Sequence, residues 1–308
     1  MKSFFGREKM KIQKISISTA ELDCQMIGEG KTSLVIEMGL GAVMAEWAQL
    51  ATRLSDRYTV LLYERAGYGV NGASQLDRTP GNIATELHEL LEQLEHEPQI
   101  TILAHSQGGL YAQKFARMYP DLVKELILLD PLSPQDNLFR TLLTEEEFKK
   151  SGADKTSGLC LNYRLARMHL GWLIRKFMRS APPFYYYDQF TKKETEYILT
   201  AISRPQIYQT ALEEYRLAHD EKELQGLDSN EGFPQIPLTL ITHDSAIETR
   251  EIIEFGRASE AEAEKIEQIW QDIMRKYLDL SELSRHLRAT NSSHYIHLTD
   301  ADLICETL

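Results

Sequence analysis

Residues 99–120, QITILAHSQGGLYAQKFARMYP, decide how the rest of the chain reads. Gln99 to His105 is a short apolar run with β-branched residues, the pattern of a strand buried on both faces. From Gly108 onward the composition turns helical and stops at Pro120. Between the two stand Ala104-His105-Ser106-Gln107-Gly108-Gly109. A serine on so sharp a strand-to-helix turn adopts a strained backbone. Residues two places away must be small, or they collide with the neighbouring strand and helix. Ala104 and Gly108 meet that need, and Gly109 adds room for close packing. The hydroxyl is then displayed at the carboxyl end of a sheet, beside unpaired N–H groups and the positive end of a helix dipole. Such a short string also arises by chance. The strand before it and the helix after it make Ser106 a candidate nucleophile.

Outward from this turn, strand-like and helix-like segments alternate. KIQKISIS (11–18) and LDCQMI (22–27) read as early strands that can form a hairpin. SLVIEMG (33–39) and TVLLYE (59–64) read as buried strands, with a helical stretch AEWAQLATRLS (45–55) between them. TPGNIATELHELLEQLE (79–95) has helical periodicity with Pro80 near its start, and ELILLD (125–130) is a sixth strand. Alternation of this kind predicts parallel crossovers and a mostly parallel central sheet covered by helices. The pattern breaks after Asp130. Residues 131–234 carry helical signals and no convincing strand, too long a stretch for a structureless loop. The sheet resumes at IPLTLITHD (236–244). A helix over about Ser259 to Tyr277, a short strand near Arg288, and HYIHL (294–298) follow. The expected organisation is an α/β core of 1–130 and 235–308 with a helical cap insertion over 131–234.

The chain resembles the α/β-hydrolase fold family over nearly its whole length. In that family a strand ends in a His-Gly pair and the next loop supplies a second oxyanion N–H. The matching segment is Met38-Gly39-Leu40-Gly41, with Met38 in place of the usual histidine. The resemblance implies an oxyanion hole from the backbone N–H groups of Gln107 and Leu40. Glu64-Arg65-Ala66-Gly67-Tyr68-Gly69 resembles a further family turn, and its reading is structural. The family order of serine, acid, histidine places the base near the C-terminus. Asn291-Ser292-Ser293-His294 resembles the family's Ser-Gly-His followed by an apolar turn and a final helix, so His294 matches the catalytic position. His297 reads as packing against that final helix. His105 and His243 have no comparable support.

Two aspartates end strands in places suited to the acid. Asp130 closes ELILLD, and Asp244 closes LTLITHD. The family's usual acid follows the later strand within a Gly-x-x-Asp turn, which the segment around Asp244 lacks. Some members draw the acid from the earlier strand end. Asp130 is the expected acid, with Asp244 the alternative and a helix cap as the plain reading of either. Whichever residue serves accepts a hydrogen bond from the histidine and fixes its tautomer.

Composition narrows the class further. A net charge of −12 over 308 residues disfavours a nucleic-acid partner, since phosphate binding needs a basic face. Three scattered cysteines, Cys24, Cys160 and Cys305, argue against a disulfide framework or zinc site and fit a reducing cytoplasm. The N-terminal MKSFFGREKMKIQK has no apolar core of signal-peptide length. No run approaches the 18 apolar residues of a membrane span. No metal or cofactor motif appears.

Within the insertion, LNYRLARMHLGWLIRKFMRS (161–180) mixes apolar and basic residues with no acidic one. It reads as a cap helix with a solvated basic face, or as a helix that lies on a membrane surface. PPFYYYDQF (182–190) is dense in rings that can line a pocket or pack a core. These readings imply an esterase-like hydrolase acting on a small apolar acyl substrate through an acyl-Ser106 intermediate. Acyl transfer, C–C hydrolysis or perhydrolysis on the same triad, and a hydrolase-like binding protein of low turnover, are the alternatives. Family members that open epoxides or dehalogenate use aspartate where Ser106 stands. No oligomeric state follows from these residues.

Overall fold

The structure is a computed structural model that describes residues 12–180, 184 and 190–308. The strands are β1 Gln13–Ser16, β2 Glu21–Ile27, β3 Thr32–Glu37, β4 Val60–Tyr63, β5 His96–His105, β6 Val123–Leu129, β7 Leu238–Thr242 and β8 Ser284–Arg288. The helices are α1 Met44–Leu54, α2 Pro80–Glu92, α3 Gln107–Met118, α4 Leu138–Leu142, α5 Glu145–Lys150, α6 Thr156–Arg167 and α7 Gly171–Met178. They continue with α8 Lys192–Ala201, α9 Pro205–Leu217, α10 Glu221–Leu224, α11 Ser245–Gly256, α12 Glu260–Arg275, α13 Ile296–Thr299 and α14 Ala301–Thr307.

One sheet runs in the order β1-β2-β4-β3-β5-β6-β7-β8. β1 and β2 form the antiparallel hairpin expected of the early strands, and β2 also meets β4 antiparallel. Every pair from β4 through β8 is parallel. The central strands are apolar throughout because both faces are covered, and successive side chains point to opposite faces. Leu34, Ile36, Leu103, Ile127, Leu129 and Ile241 pack on one side with Met44, Trp47, Leu50 and Leu54 of α1 and Ile304 of α14. Val35, Ile102, Ala104, Leu126, Leu128 and Leu240 face the other side, against Leu87 and Leu90 of α2, Phe115 of α3 and Ile266 of α12. Burying each such side chain contributes roughly 1.5–3 kcal/mol before conformational entropy is charged against it.

Between β6 and β7 the described residues form helices α4 to α10 and no strand. The basic stretch 161–180 differs from the single helix expected of it. α6 ends and α7 begins around His169, whose φ is 60°. His169 N–H donates to the Ala166 carbonyl at 3.1 Å, and Leu170 N–H to the Leu165 carbonyl at 2.9 Å. This is the paired closure of a helix C-terminus, with histidine where glycine is usual. A Cβ on Gly171 would lie 3.0 Å from the Ser203 Cβ, so α7 starts tightly against the segment after α8. The periodicity continues through the break and hides it. Of the aromatic tract 182–190, Phe184 and Phe190 pack together at 5.4 Å between ring centres, and the rest lies outside the described residues. No helix among the described residues is long and apolar enough to cross a membrane.

Candidate active site

Ser106 joins β5 to α3 with φ 54° and ψ −128°. A non-glycine residue there costs on the order of 1–3 kcal/mol and persists only where its surroundings fix it. Ser106 N–H donates to the Leu129 carbonyl of β6 at 3.0 Å, and the Ser106 carbonyl accepts from Gly109 and Leu132 at 2.9 and 2.7 Å. The small neighbours have identifiable counterparts. A Cβ on Gly108 would sit 2.3 Å from the Glu37 carbonyl oxygen, and one on Gly109 would sit 2.4 Å from Pro131 Cβ.

His294 lies in the segment between β8 and α13, and its Nδ1 is 3.1 Å from Asp130 Oδ2. His105 supports it from beneath, with Nε2 2.8 Å from the His294 carbonyl. Burial, and then His294, push the His105 pKa down to about 3, so the ring is neutral and donates at Nε2. His297 stacks on Trp47 at 3.9 Å and 7°, a packing place. Asp130 just past the end of β6 takes a positive φ of 44°, with its N–H bonded to the Ile241 carbonyl of β7 at 2.9 Å. Asp244 does something else. Its Oδ1 accepts from the N–H groups of Ala246 and Ile247 at 3.0 and 3.2 Å, capping α11, and it does not line the cavity that holds Ser106.

That cavity measures about 550 Å³ and is lined by Leu40, Ser106, Gln107, Asp130, His294 and Tyr295, among others. Gln107 opens α3, where first-turn N–H groups have no partner within the helix. Leu132, Phe139, Ile252 and Ile266 supply apolar wall, while Glu248, Glu251, Lys149, Lys150 and Lys155 add charge. Among the described residues Ser106 Oγ makes no hydrogen bond with His294, a pairing that commonly tightens only when substrate arrives. Among the described residues no group of three metal-ligating side chains forms.

The structure adds His243, which the sequence reading set aside. Asp130 Oδ1 accepts from the His243 N–H at 2.9 Å, and Asp130 Oδ2 lies 2.6 Å from His243 Nδ1. His243 Nε2 lies 3.0 Å from Glu267 Oε2, and the ring stacks on Trp270 at 4.0 Å. With a carboxylate at each ring nitrogen, both nitrogens donate and the ring is an imidazolium. Burial lowers the His243 pKa, but Asp130, Glu267 and Glu248 outweigh it and raise it well above the ordinary histidine value. Burial likewise raises Asp130, yet His243 and then His294 hold its carboxyl well below the usual range. One signal was available in the sequence. Glu267 and Gln271 sit at i, i+4 among the buried positions of α12, polar residues on an apolar face that call for a buried partner.

These shifts set a stability window. His243, with its pKa raised on folding, contributes fully below about pH 6.5 and loses that contribution as pH rises through its folded value. Asp130, depressed on folding, contributes above about pH 3.9 and loses it as pH falls. The melting-temperature difference between wild type and His243→Gln is therefore expected to be largest near about pH 5–6 and to shrink above neutrality. Melts from acid to mildly alkaline pH measure it, and a pH-independent difference would count against a charged His243.

The Glu64–Gly69 turn is structural, as its residues suggest. Arg65 is 2% exposed. Its guanidinium donates to Glu37 Oε1 at 2.7 Å, to the Met38 and Gly39 carbonyls at 2.5 and 2.9 Å, and to both carboxylate oxygens of Glu214 on α9 at 3.3 and 3.1 Å. The hydroxyls of Tyr68 and Tyr111 also donate to Glu214, at 2.7 and 3.3 Å, and the Gln107 side chain donates to the Tyr111 oxygen. One cation thus ties the loop before Leu40 to the helical insertion. Met38, in place of the family histidine, packs in the apolar layer with Trp47 and Leu62.

The family model described as alpha/beta hydrolase fold matches residues 32–247, and the chain belongs to this family. An AB hydrolase superfamily protein of Gibberella zeae is 24% identical over 285 residues, 88% of this chain and 83% of that protein. The human (lyso)-N-acylphosphatidylethanolamine lipase is 30% identical over 124 residues, 39% of this chain and only 34% of its own length. Among solved structures, an epoxide hydrolase superposes with a TM-score of 0.66 at 16% identity, covering 97% of each chain. An N-formylmaleamic acid deformylase from Pseudomonas putida superposes with a TM-score of 0.61 at 14% identity, covering 96% of this chain and 100% of that one. At these identities the structural likeness speaks for the fold alone.

Proposed function

We propose that the protein hydrolyses a carboxylic ester through an acyl-Ser106 intermediate. The observation that carries this reading is the His294–Asp130 hydrogen bond opening into the same cavity as a serine on a strained strand-to-helix turn. In this reading His294 Nε2 takes the Ser106 proton as the hydroxyl attacks the acyl carbon, then returns it to the leaving alcohol. Asp130 accepts from Nδ1–H and stabilises the imidazolium. The N–H groups of Gln107 and Leu40 receive the charge that develops on the carbonyl oxygen. Water, activated by His294, then releases the acid.

The helical region 131–234 serves as the cap that excludes bulk water from this step. Apolar wall beside charged side chains suits an amphiphile, an acyl group with a polar head. The lipase relative makes long-chain esters the first to try. Epoxide opening, the activity named for one structural relative, is the weaker reading, because this turn presents serine and not aspartate.

A fluorophosphonate probe is expected to label wild type at Ser106 and to leave Ser106→Ala unlabelled. A panel of nitrophenyl esters of increasing acyl length then ranks substrates. Absence of both labelling and Ser106-dependent turnover would overturn the proposal.

A further inference from the structure

We propose that the outer face of α6 and α7 docks on an anionic phospholipid surface. Four large apolar side chains stand out from these two short helices. Leu161, Met168, Trp172 and Phe177 are 58%, 67%, 60% and 62% exposed, the four highest values for large apolar residues among the described residues. Exposing them to water is unfavourable, and such patches mark contact surfaces. Arg164, Arg167, Lys176 and Arg179 are exposed between them, with Arg175 half-buried, and residues 161–180 contain no Asp or Glu. Among the described residues none of these cations is in a salt bridge.

Charge complementarity selects the occupant. Five cations gathered in one short stretch of a chain of net charge −12 form a local basic face. Apolar side chains enter the headgroup boundary while flanking cations meet lipid phosphates, and tryptophan favours that boundary. A protein-binding patch would place its apolar residues in a core depleted of charge, not interleaved with it. The opposite side of the same helices is already occupied. Tyr163, Ala166 and Ile174 pack in the apolar cluster that also holds Leu40, so the docking face lies back to back with the one over the candidate site. The proposal does not depend on the reaction assigned to Ser106.

The test is flotation with phosphatidylcholine vesicles, with and without phosphatidylglycerol. Wild type is expected to float with the mixed vesicles only, and less so as salt rises. Trp47 is fully buried and Trp270 half-buried, so a blue shift of tryptophan emission on vesicle addition reports Trp172 and disappears in Trp172→Phe. The triple variant Arg164→Gln/Arg167→Gln/Lys176→Gln is expected to bind the mixed vesicles weaker by a factor on the order of a hundred, about fivefold for each cation. Trp172→Ala/Phe177→Ala is expected to lose flotation. These side chains are exposed, and an unchanged melting temperature confirms that each variant is folded. Flotation unaffected by either set of substitutions would overturn the proposal. So would binding of a polynucleotide or a second protein through these residues with vesicles ignored.

Discussion

Asp130→Asn is expected to lower kcat/KM for the best nitrophenyl ester by roughly 10³ to 10⁴, and Asp244→Asn to leave it within about twofold, if the proposed ester hydrolysis holds. The asymmetry follows from where the two carboxylates point. Asp130 Oδ2 faces His294 Nδ1, so an amide there offers an N–H to the wrong tautomer of the base. It also leaves the His243 imidazolium facing Glu267 with one carboxylate fewer. Asp244 caps α11, and asparagine caps a helix about as well, so neither rate nor melting temperature should move much. Steady-state rates on both variants, with melts to confirm folding, decide the matter. A large loss in Asp244→Asn with little in Asp130→Asn would reverse the assignment of the acid.

Arg65→Met is expected to produce the largest loss of stability. The side chain holds two buried carboxylates, Glu37 and Glu214, and two backbone carbonyls. Removing one partner of such a buried pair costs about 3–5 kcal/mol. Burial already pushes the Glu37 carboxyl up against the opposing pull of Arg65 and Tyr63, so losing Arg65 pushes it further towards the neutral form. That relaxation favours the lower end of the range. For a chain of this size the expected fall in melting temperature is roughly 5 °C. Turnover should fall as well, because the Met38 and Gly39 carbonyls lose the donor that fixes the loop carrying the Leu40 N–H. Adding Glu214→Leu should recover part of the stability, since the two changes act on one contact. Calorimetry on the single and double variants measures both effects, and strictly additive losses would refute the coupling.

Much of the core was legible in the sequence because parallel strands buried on both faces read as unbroken apolar runs. SLVIEMG, TVLLYE, ITILAH and ELILLD each became a strand for that reason. The turn at Ser106 was legible because two steric demands, at Ala104 and Gly108, fall at fixed spacing around it. The choice between Asp130 and Asp244 was not. The ends of β6 and β7 are neighbours in the sheet, yet more than a hundred residues separate them in the chain. The direction of each carboxylate depends on local backbone, a positive φ at Asp130 and the immediate start of α11 after Asp244. The same distance in sequence hid the His243–Glu267 contact. The break at His169 escaped because the apolar and basic pattern runs across it.

The Arg65–Glu214 contact has a consequence for traffic through the site. A roof riveted to the sheet beneath it by a buried ion pair resists swinging open, because lifting α9 strands the Glu214 carboxylate while Arg65 stays behind with Glu37. For the proposed reaction this means that reactant and product share a standing doorway, and Lys149, Gly152 and Phe255, which line the cavity and are exposed, stand at its threshold. Selectivity in such a vestibule is exercised by fit within a fixed volume, and the residues around that threshold, far in sequence from Ser106, become the natural places to widen or narrow the range of molecules admitted.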